Sequence, residues 1–279
     1  MNEMRVQIKA NAKVNLTLSV GEVLDNGMHL IESKMARVAF FDDLEITRLD
    51  SHATSRYTIR WHEDAPRKTE IDWSVTDDLA VRAHSLIEKV VGHALPVQMK
   101  LEKRIPVGGG LGGGSADAAA MLQAVTRLFQ LDLDVCKNAS SLGSDVPYLL
   151  HGGSCVVEGT GDVITPIKHE TQHLVLMIPP YSCETSKVYR AFDALEYHET
   201  NSGNDLLTPA CVVEPRLATD METATTLLDQ EIHLSGSGST MFAICDNAEH
   251  AAETAKKLEE HTELVAIATQ TCEEVLERI

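Results

Sequence analysis

The sequence predicts an α+β protein that folds into two lobes. Three features support this prediction. Alternating apolar residues near the start are typical of β-strands, a glycine-rich segment at 108–114 leads directly into a helical pattern, and a strand, a helix and another strand follow one another near the end. Strand and helix patterns are therefore mixed along the whole chain.

The first half of the chain opens with two alternating apolar stretches, each of which predicts a pair of strands. The first covers 5–20, and the second covers 32–50 with a turn at Asp42 and Asp43. The segments that follow have these predicted structures: a polar surface excursion at 50–76, a helix at 77–91, a strand at 96–106, a helix at 115–129, a shorter helix at 133–141, and a loop at 141–167 that turns into strands.

The second half begins with an apolar strand at 173–180, and the polar segment 164–173 before it is the predicted seam between the lobes. The remaining segments have these predicted structures: a helix at 184–195, further helix to about 230, a glycine-rich turn at 234–239 that leads into a strand, a helix at 248–261 and a strand at 263–270.

Composition limits the kinds of partner. The 279 residues carry a net charge of −18, and this acidity argues against nucleic acid, whose binding needs a dense basic surface. No apolar run approaches the roughly 20 residues that span a bilayer, so we expect no membrane partner. The six cysteines are far apart, and the first ten residues do not resemble a targeting segment. We therefore expect reduced thiols and a cytoplasmic location.

Six glycines occupy 108–114, and Leu111 alone interrupts them. Glycines before a helix let the backbone approach an anion closely, and the unpaired N–H groups of the helix terminus attract negative charge. The run therefore predicts a cradle for a polyphosphate, with Ser115 placed to cap the helix and to reach an oxygen or a metal ion. A flexible linker or a tight glycine packing turn is the alternative, although linkers do not run directly into an apolar helix. No Gly-Lys-Ser/Thr closes the run as in a Walker A loop, and it makes a poor dinucleotide-binding fingerprint.

The segment PVGGGLGGGSADAA, at 106–119, resembles the phosphate-binding motif of the GHMP kinase superfamily. AKVNLTLSV near the start and LSGSGSTMFAI near the end resemble two further motifs of the same superfamily, and the likeness runs from about residue 10 to about residue 245. It implies an N-terminal lobe like ribosomal protein S5 domain 2 and a C-terminal ferredoxin-like lobe. An ATP-binding domain would cover 1–168, and a domain at 169–279 would complete the substrate site.

The resemblance also implies an activity. AKVNL, a turn ending in Gly-x-His, GLGGGSADAA, LGSDVPYLL and GGSCVVEGTGDVITPI are similar to the branch that phosphorylates the 2-hydroxyl of a cytidine diphosphate-linked methylerythritol, in non-mevalonate isoprenoid synthesis. The expected small-molecule ligands are ATP, with Mg²⁺, and this alcohol. Two alternatives remain open: a GHMP kinase for another small alcohol, and an inactive nucleotide-binding regulator. We expect a monomer or a weak homodimer.

The resemblance implies that Lys13 and Asp145 form the catalytic pair. A carboxylate can accept the proton of an attacking alcohol, and a nearby ammonium stabilises the charge that develops. Asn15 lies two residues after Lys13, hence on the same face of its strand, and would position substrate. The resemblance further implies ATP-binding roles for these residues: Asp78, Lys103, Pro106, Gly108, Gly109, Gly110, Leu111, Gly112, Gly113, Gly114 and Ser115, the last also as a Mg²⁺ ligand.

The cytidine end of the substrate would be held by residues from both lobes. The expected set is Met28, His29, Thr185, Tyr189, Gly236, Ser237 and Gly238. His29 would read the cytosine edge, and Tyr189 would cover one face of the base. Met28 stands where the family usually has a stacking tyrosine, and Asp78 stands where it commonly has an asparagine near the adenine. These two departures bear on base binding.

Overall fold

The computed structural model describes residues 4–195 and 203–273. These residues form two β-sheets with helices packed on them, which confirms the predicted α+β class. Within these ranges, no helix combines the length and apolar character needed to cross a membrane.

The larger sheet is built around one long strand. Its seven strands are β1 (Arg5–Asn15), β2 (Ser19–Val23), β3 (His29–Arg48), β4 (Arg56–Trp61), β5 (Val97–Lys103), β6 (Ser154–Gly159) and β7 (Val163–Pro166). Strand β3 pairs antiparallel with β1, β2, β5 and β6. Strand β4 joins β5 in parallel at one edge, and β7 joins β6 antiparallel at the other.

Three helices pack on this sheet and enclose the main core. They are α1 (Leu79–Val91), α2 (Gly113–Phe129) and α3 (Val146–His151), with short 3₁₀ turns at Val75–Asp77 and Val135–Ser141. Helix α2 is buried along most of its length, because its many alanines allow close packing against β1, β3 and α1. Its N-terminus is thereby held in a fixed place beside the sheet.

The second lobe has a four-stranded antiparallel sheet in the order β11-β8-β10-β9. Its elements are β8 (His173–Ile178), α4 (Thr185–Ala194), α5 (Leu207–Val213), α6 (Pro215–Leu228), β9 (His233–Leu234), β10 (Met241–Cys245), α7 (Ala248–His261) and β11 (Val265–Gln270). Apart from β9, which was not predicted, these positions agree with the expected helices and strands; the part of the predicted helical segment at 196–202 lies outside the described residues. The helices enclose a second core with β8 and β10.

A third apolar cluster joins the two lobes. Val14 and Val38 from the large sheet meet Leu176 and Phe242 from the small one, and all four are completely buried. Leu111, the residue that interrupts the glycine run, is 1% exposed in the same cluster. The glycine loop is therefore anchored at the lobe junction by its one apolar side chain. The boundary between 168 and 169 stays a prediction.

The two predicted strand pairs in the first 50 residues are wrong. Residues 5–15 form the single strand β1, and 29–48 form the single strand β3. Asp42 does not turn the chain, because its carboxylate is buried and accepts hydrogen bonds from the Lys103 ammonium and from the backbone N–H of Ile105. A long-range partner, which local turn chemistry does not reveal, satisfies this side chain within a strand.

Three local differences complete the comparison. The supposed surface excursion at 50–76 contains β4, which extends the sheet. Helix α2 begins at Gly113, two residues earlier than predicted, because Gly112 has a φ of 69° and serves as its N-cap. The predicted loop after residue 141 contains α3, so Asp145 is the residue at the start of a short helix and does not lie in a non-helical loop.

A buried ion triad connects the sheet with α2. The Nζ atom of Lys103 lies 2.7 Å from Oδ2 of Asp42 and 2.5 Å from Oδ2 of Asp117, and all three side chains are nearly inaccessible to solvent. Burial lowers the pKa of the lysine, but the carboxylates of Asp117 and Asp42 outweigh it and raise that pKa above its ordinary value. Burial, reinforced by the negative charge of Asp42, raises the pKa of Asp117 well above its usual range.

Replacing the buried lysine tests how much this triad contributes to the free energy of unfolding. Lys103→Met leaves two buried carboxylates without their cation, and we expect it to lower the free energy of unfolding by about 3–5 kcal/mol. Lys100→Met on the same strand is the matched control, because Lys100 pairs with Glu45 at the surface and should cost under about 1 kcal/mol. Urea denaturation measures both. An equal loss of unfolding free energy in the two variants would contradict a larger contribution from the buried triad.

The charge state of Lys103 gives this contribution a pH dependence. Because its pKa is raised in the folded protein, the stabilisation is fully present below the ordinary lysine pKa of about 10.4 and is lost as pH rises through the folded value. The difference in unfolding free energy between the unchanged chain and Lys103→Met should therefore be smaller near about pH 11 than near about pH 9. A difference that does not change over this range would show that the lysine is not held charged.

Candidate active site

The glycine loop, residues 104–112, connects β5 with α2. The φ values are 70° at Gly108, 75° at Gly110 and 69° at Gly112. This is a left-handed backbone conformation that residues other than glycine rarely adopt. Gly112 caps α2 through its backbone, and no side chain caps the helix, so the predicted capping by Ser115 is wrong. The hydroxyl of Ser115 is in the first turn of the helix.

The loop packs closely against the glycine turn of the second lobe, residues 235–240. A Cβ atom on Gly110 would lie 2.1 Å from the carbonyl oxygen of Ser235, so only glycine fits there. The Ser235 hydroxyl donates to the Gly110 carbonyl at 3.0 Å, and the Thr240 N–H donates to the Gly109 carbonyl at 3.1 Å. The two glycine-rich segments, far apart in sequence, therefore form one wall.

This wall borders a cleft of about 530 Å³, a volume typical of small-molecule sites. The predicted site residues that line the cleft are Lys13, Asn15, Asp78, Lys103, Pro106, Gly108, Gly109, Gly110, Leu111, Gly112, Gly113, Gly114, Ser115, Asp145, Thr185, Tyr189, Gly236 and Ser237. The N-terminus of α2 opens into the same space, which suits an anion.

Lys13 and Asn15 face the cleft from β1. The Lys13 ammonium, whose side chain is 5% exposed, donates a 2.6 Å hydrogen bond to the Asn15 side chain, so both lie on one strand face as expected. The pairing register of β1 with β3 shifts between Asn11 and Lys13, and such irregularities redirect side chains. The Asn15 amide also donates to the Ser33 hydroxyl at 2.8 Å, which fixes its orientation.

Asp145 approaches from the opposite wall of the cleft. Its Oδ2 atom lies 3.5 Å from Nζ of Lys13, and its side chain is 26% exposed. The carboxylate does not cap α3, so it stays directed at the lysine. A Cβ atom on Gly112 would lie 3.0 Å from Cγ of Lys13 and 3.5 Å from Oδ2 of Asp145. The sequence-predicted pair is therefore assembled directly against the start of α2.

The second lobe contributes the far end of the cleft. The Thr185 and Ser237 hydroxyls lie 2.9 Å apart, and Gly236 packs against Lys13 and Asn15. Burial raises the pKa of Tyr189 to about 12, so this aromatic side chain is a neutral phenol at ordinary pH.

Three of the predicted substrate residues do not line the cleft: Met28, His29 and Gly238. Met28 is exposed, and Gly238 is buried under the side chains of Leu234 and Cys183. The His29 ring lies next to Tyr189, with the ring centroids 5.1 Å apart, and its Nε2 atom is 2.7 Å from a carboxylate oxygen of Asp193. His29 is thus adjacent to the cleft wall, with one nitrogen already engaged.

Asp78 has two structural partners in this chain. One carboxylate oxygen accepts from the Ala80 N–H at 2.9 Å and caps α1, and the other accepts from the Trp73 indole N–H at 3.3 Å. The two donors bind different carboxylate oxygens, and an asparagine would present to one of them an NH₂ group, which cannot accept a hydrogen bond. The aspartate at this position is therefore explained by the hydrogen bond from Trp73. Trp73 also lines the cleft, and the sequence analysis did not predict it as a site residue.

Lys103 lines the cleft as predicted, but its ammonium is bound by two buried carboxylates. It therefore offers no free charge to a nucleotide, and the geometry contradicts its expected role as a cation for ATP. Its function in this structure is to hold the start of the glycine loop.

Residues that support the site were also missed by the sequence analysis. Arg37 is buried and donates to the Leu149 carbonyl, which ties β3 to the helix that Asp145 begins. Asn204 donates to the carbonyls of Leu234 and Gly236 at 2.9 Å and holds the second glycine turn. The signal for Arg37 was present, as a charged residue within the apolar segment MARVAF. Asn204 lies in a polar stretch with no comparable signal.

Comparison with known proteins identifies the family. The model of the GHMP kinases N terminal domain matches residues 78–153. A 4-diphosphocytidyl-2-C-methyl-D-erythritol kinase of Anaeromyxobacter sp. (strain Fw109-5) is 33% identical over 275 residues, which cover 92% of this chain and 88% of that protein. The same kinase of Mycobacterium leprae (strain Br4923) is 34% identical over 231 residues, which cover 81% of this chain and 68% of that protein. The chain belongs to the 4-diphosphocytidyl-2-C-methyl-D-erythritol kinase family.

A solved structure of a kinase in this family supports the assignment. The crystal structure of a 4-(cytidine 5'-diphospho)-2C-methyl-D-erythritol kinase superposes with a TM-score of 0.77 at 28% identity, covering 96% of this chain and all of that one. The chain therefore has the two-lobed fold of the GHMP kinases, as the resemblance implied. It is an enzyme of the kinase class, and it uses ATP.

The contact of Gly112 with the Lys13–Asp145 pair generates a prediction for this kinase family member. Gly112→Ala adds a Cβ 3.0 Å from Lys13 in a strained backbone, so we expect the phosphoryl-transfer rate to fall by about 100-fold. Gly92→Ala is the matched control, since Gly92 has a φ of 77° but nothing within 4 Å of its Cβ position. It should cost stability alone. Steady-state kinetics and thermal unfolding separate the two, and an active Gly112→Ala variant would contradict the assembly.

Proposed function

We propose that this chain transfers the γ-phosphoryl group of ATP to the 2-hydroxyl of 4-diphosphocytidyl-2-C-methyl-D-erythritol. The observation that carries the proposal is the Lys13–Asp145 pair, 3.5 Å apart and beside Gly112 at the start of α2, where an added Cβ would meet both side chains. A proton acceptor, a cation and an anion-binding helix terminus meet at one point of the cleft. This is the set of groups that phosphoryl transfer to an alcohol requires.

The glycine loop would hold the triphosphate. Its backbone N–H groups and the N-terminus of α2 supply positive electrostatic potential without a lysine in the loop. The side chains of Trp73 and Asp78 line the same cleft beyond the loop, so we assign the adenine to that end. The indole offers a stacking surface, and the carboxylate keeps a lone pair for the adenine amino group.

The reaction follows from the positions of the catalytic pair. The Asp145 carboxylate accepts the proton of the substrate hydroxyl as that oxygen attacks the γ-phosphorus, and the bond between the γ-phosphorus and the bridging oxygen of ADP breaks. The Lys13 ammonium, 3.5 Å from this carboxylate, stabilises negative charge on the attacking and transferred oxygens. Asn15 fixes the lysine through its 2.6 Å hydrogen bond.

Mg²⁺ is part of the proposal. Magnesium binds hydroxyl and phosphate oxygens. The Ser115 hydroxyl lies in the first turn of α2 and does not cap the helix. Ser115 would hold the ion from the protein side together with the phosphates of the nucleotide. When bound, the ion would neutralise negative charge on the phosphates.

The cytidine end of the substrate would lie against Tyr189 and the Thr185–Ser237 pair. The position of His29 supports a role in reading the base, although its ring is set behind the cleft wall. Nε2 is engaged with the Asp193 carboxylate, so Nδ1 is the ring nitrogen that remains to hydrogen-bond the edge of the base. Met28 is exposed beside it and would cover the base on substrate binding.

Turnover on defined alcohols tests the proposed function. In a coupled ADP-release assay, we expect ATP turnover with 4-diphosphocytidyl-2-C-methyl-D-erythritol as the alcohol. Turnover on another small alcohol alone would assign a different substrate, in agreement with the exposed Met28. Tight ATP binding without turnover on any alcohol would indicate a nucleotide-binding regulator and overturn the proposal.

Removing the proton acceptor tests the mechanism. Asp145→Asn keeps the shape of the side chain, and we expect kcat to fall by about 10²–10⁴-fold while ATP affinity changes little, because the residue contacts the alcohol. Asp64→Asn, at an exposed aspartate in the same lobe, is the control and should be neutral. Retained kcat in Asp145→Asn would mean that another group takes the proton.

A further inference from the structure

A second cavity, of about 350 Å³, borders the glycine loop at the lobe junction. Pro106, Val107 and Gly109 line both this cavity and the active-site cleft. The other walls come from Arg67 and Lys68 in the first lobe and from residues 178–182 and 239–240 in the second. The proposed reaction uses neither Arg67 and Lys68 nor the residues at 178–182 and 239–240.

The charge of this cavity is opposite to that of the protein. The chain has a net charge of −18, yet the described residues that line the cavity include Arg67 and Lys68 and no carboxylate. Arg67 is held across the junction, because its guanidinium donates to the backbone carbonyls of Glu263 and Ile178 at 2.6 and 3.4 Å. A local excess of positive charge in an acidic protein favours an anionic ligand.

Two buried polar atoms on the walls have no hydrogen-bond partner: Nε of Arg67 and Oγ1 of Thr240. Thr240 is completely buried, and a Cβ atom added to Gly109 would lie 2.9 Å from its hydroxyl oxygen, so the hydroxyl is next to the glycine loop. Unpaired buried donors are rare in native proteins and call for a ligand or water. Both atoms can donate to a phosphate oxygen, which gives the positive cavity a specific set of donors.

The rest of the wall is apolar. Val107, Ile178, Pro179 and Pro180 face the same space. We propose that this second cavity binds a small organic phosphate, with the phosphate at Arg67, Lys68 and Thr240 and the organic group against these apolar residues. The volume fits a short alkyl phosphate and lies in the range of small-molecule sites.

Binding in the second cavity also alters nucleotide affinity. Gly109 separates the two spaces, and its carbonyl is bonded to the Thr240 N–H, so a ligand that engages Thr240 acts on the loop that holds the triphosphate. This part rests on the proposed function, because it requires the nucleotide at that loop. Coupling between two sites is reciprocal, so each ligand changes the affinity of the other by the same factor.

The test uses butyl phosphate and inorganic phosphate as probes, in isothermal titration calorimetry on the full chain. The binding of the ATP analogue AMP-PNP is measured first, so that failure of the nucleotide site is seen separately. With the cleft saturated by AMP-PNP, we expect one saturable site for butyl phosphate, weaker binding of inorganic phosphate, and a changed AMP-PNP dissociation constant when butyl phosphate is present.

Charge removal locates the site. Lys68→Ala should weaken butyl phosphate binding by about tenfold, the loss expected for one charge-assisted hydrogen bond. Lys137→Ala, at an exposed lysine on the far 3₁₀ turn, is the matched control and should leave it unchanged. Arg67→Ala is a second variant, checked by thermal unfolding because Arg67 joins the lobes. An equal loss in Lys137→Ala, or no saturable binding beside AMP-PNP, would overturn the site, and an unchanged AMP-PNP affinity would overturn the coupling.

Discussion

The active site depends on the buried triad of Lys103, Asp42 and Asp117. Lys103 is the last residue of β5, and Asp117 lies in the first turns of α2, so their ion pair joins the two ends of the glycine loop. Asp42 adds hydrogen bonds to the backbone at the start of the loop. Glycine-rich backbone has a large conformational entropy to lose, and pinning both ends reduces the freedom that remains. A flexible composition is thereby made into a fixed anion-binding surface.

The glycines also allow the lobes to approach each other. Gly110 admits the Ser235 carbonyl where any side chain would collide, and Gly112 admits Lys13 and Asp145. The close contacts of these glycines at the lobe junction therefore also place Lys13 and Asp145 beside the N-terminus of α2. Leu111 between them is buried in the inter-lobe cluster and prevents the loop from sliding. The glycines let neighbouring groups approach the loop closely, and the buried Leu111 side chain fixes where the loop lies.

Much of this site could be predicted from sequence, because its signals are local. The period of two puts Lys13 and Asn15 on one strand face, and the glycine run before an alanine-rich helix indicates the cradle. The rest depends on long-range partners. Asp42 is a residue type that favours turns, and its sequence neighbours do not reveal its ion pair with the distant Lys103. Asp145 begins a helix of six residues, which is too short to show helical periodicity in the sequence.

The two buried lysines of the cleft explain how an acidic protein can bind a polyphosphate. Lys103 lies 2.7 and 2.5 Å from the side-chain oxygens of Asp42 and Asp117, so its charge is engaged within the buried triad and stabilises the fold. Lys13 donates to the neutral side chain of Asn15 and lies 3.5 Å from the carboxylate of Asp145, which is partly exposed. Among the described residues one carboxylate, at this longer distance, pairs with Lys13, which would leave its ammonium able to interact with a phosphate. In the proposed reaction the alcohol proton moves to Asp145, and the lysine charge would then be available to the transferred group. The division of roles between the two lysines thus follows from the number and distance of their carboxylate partners.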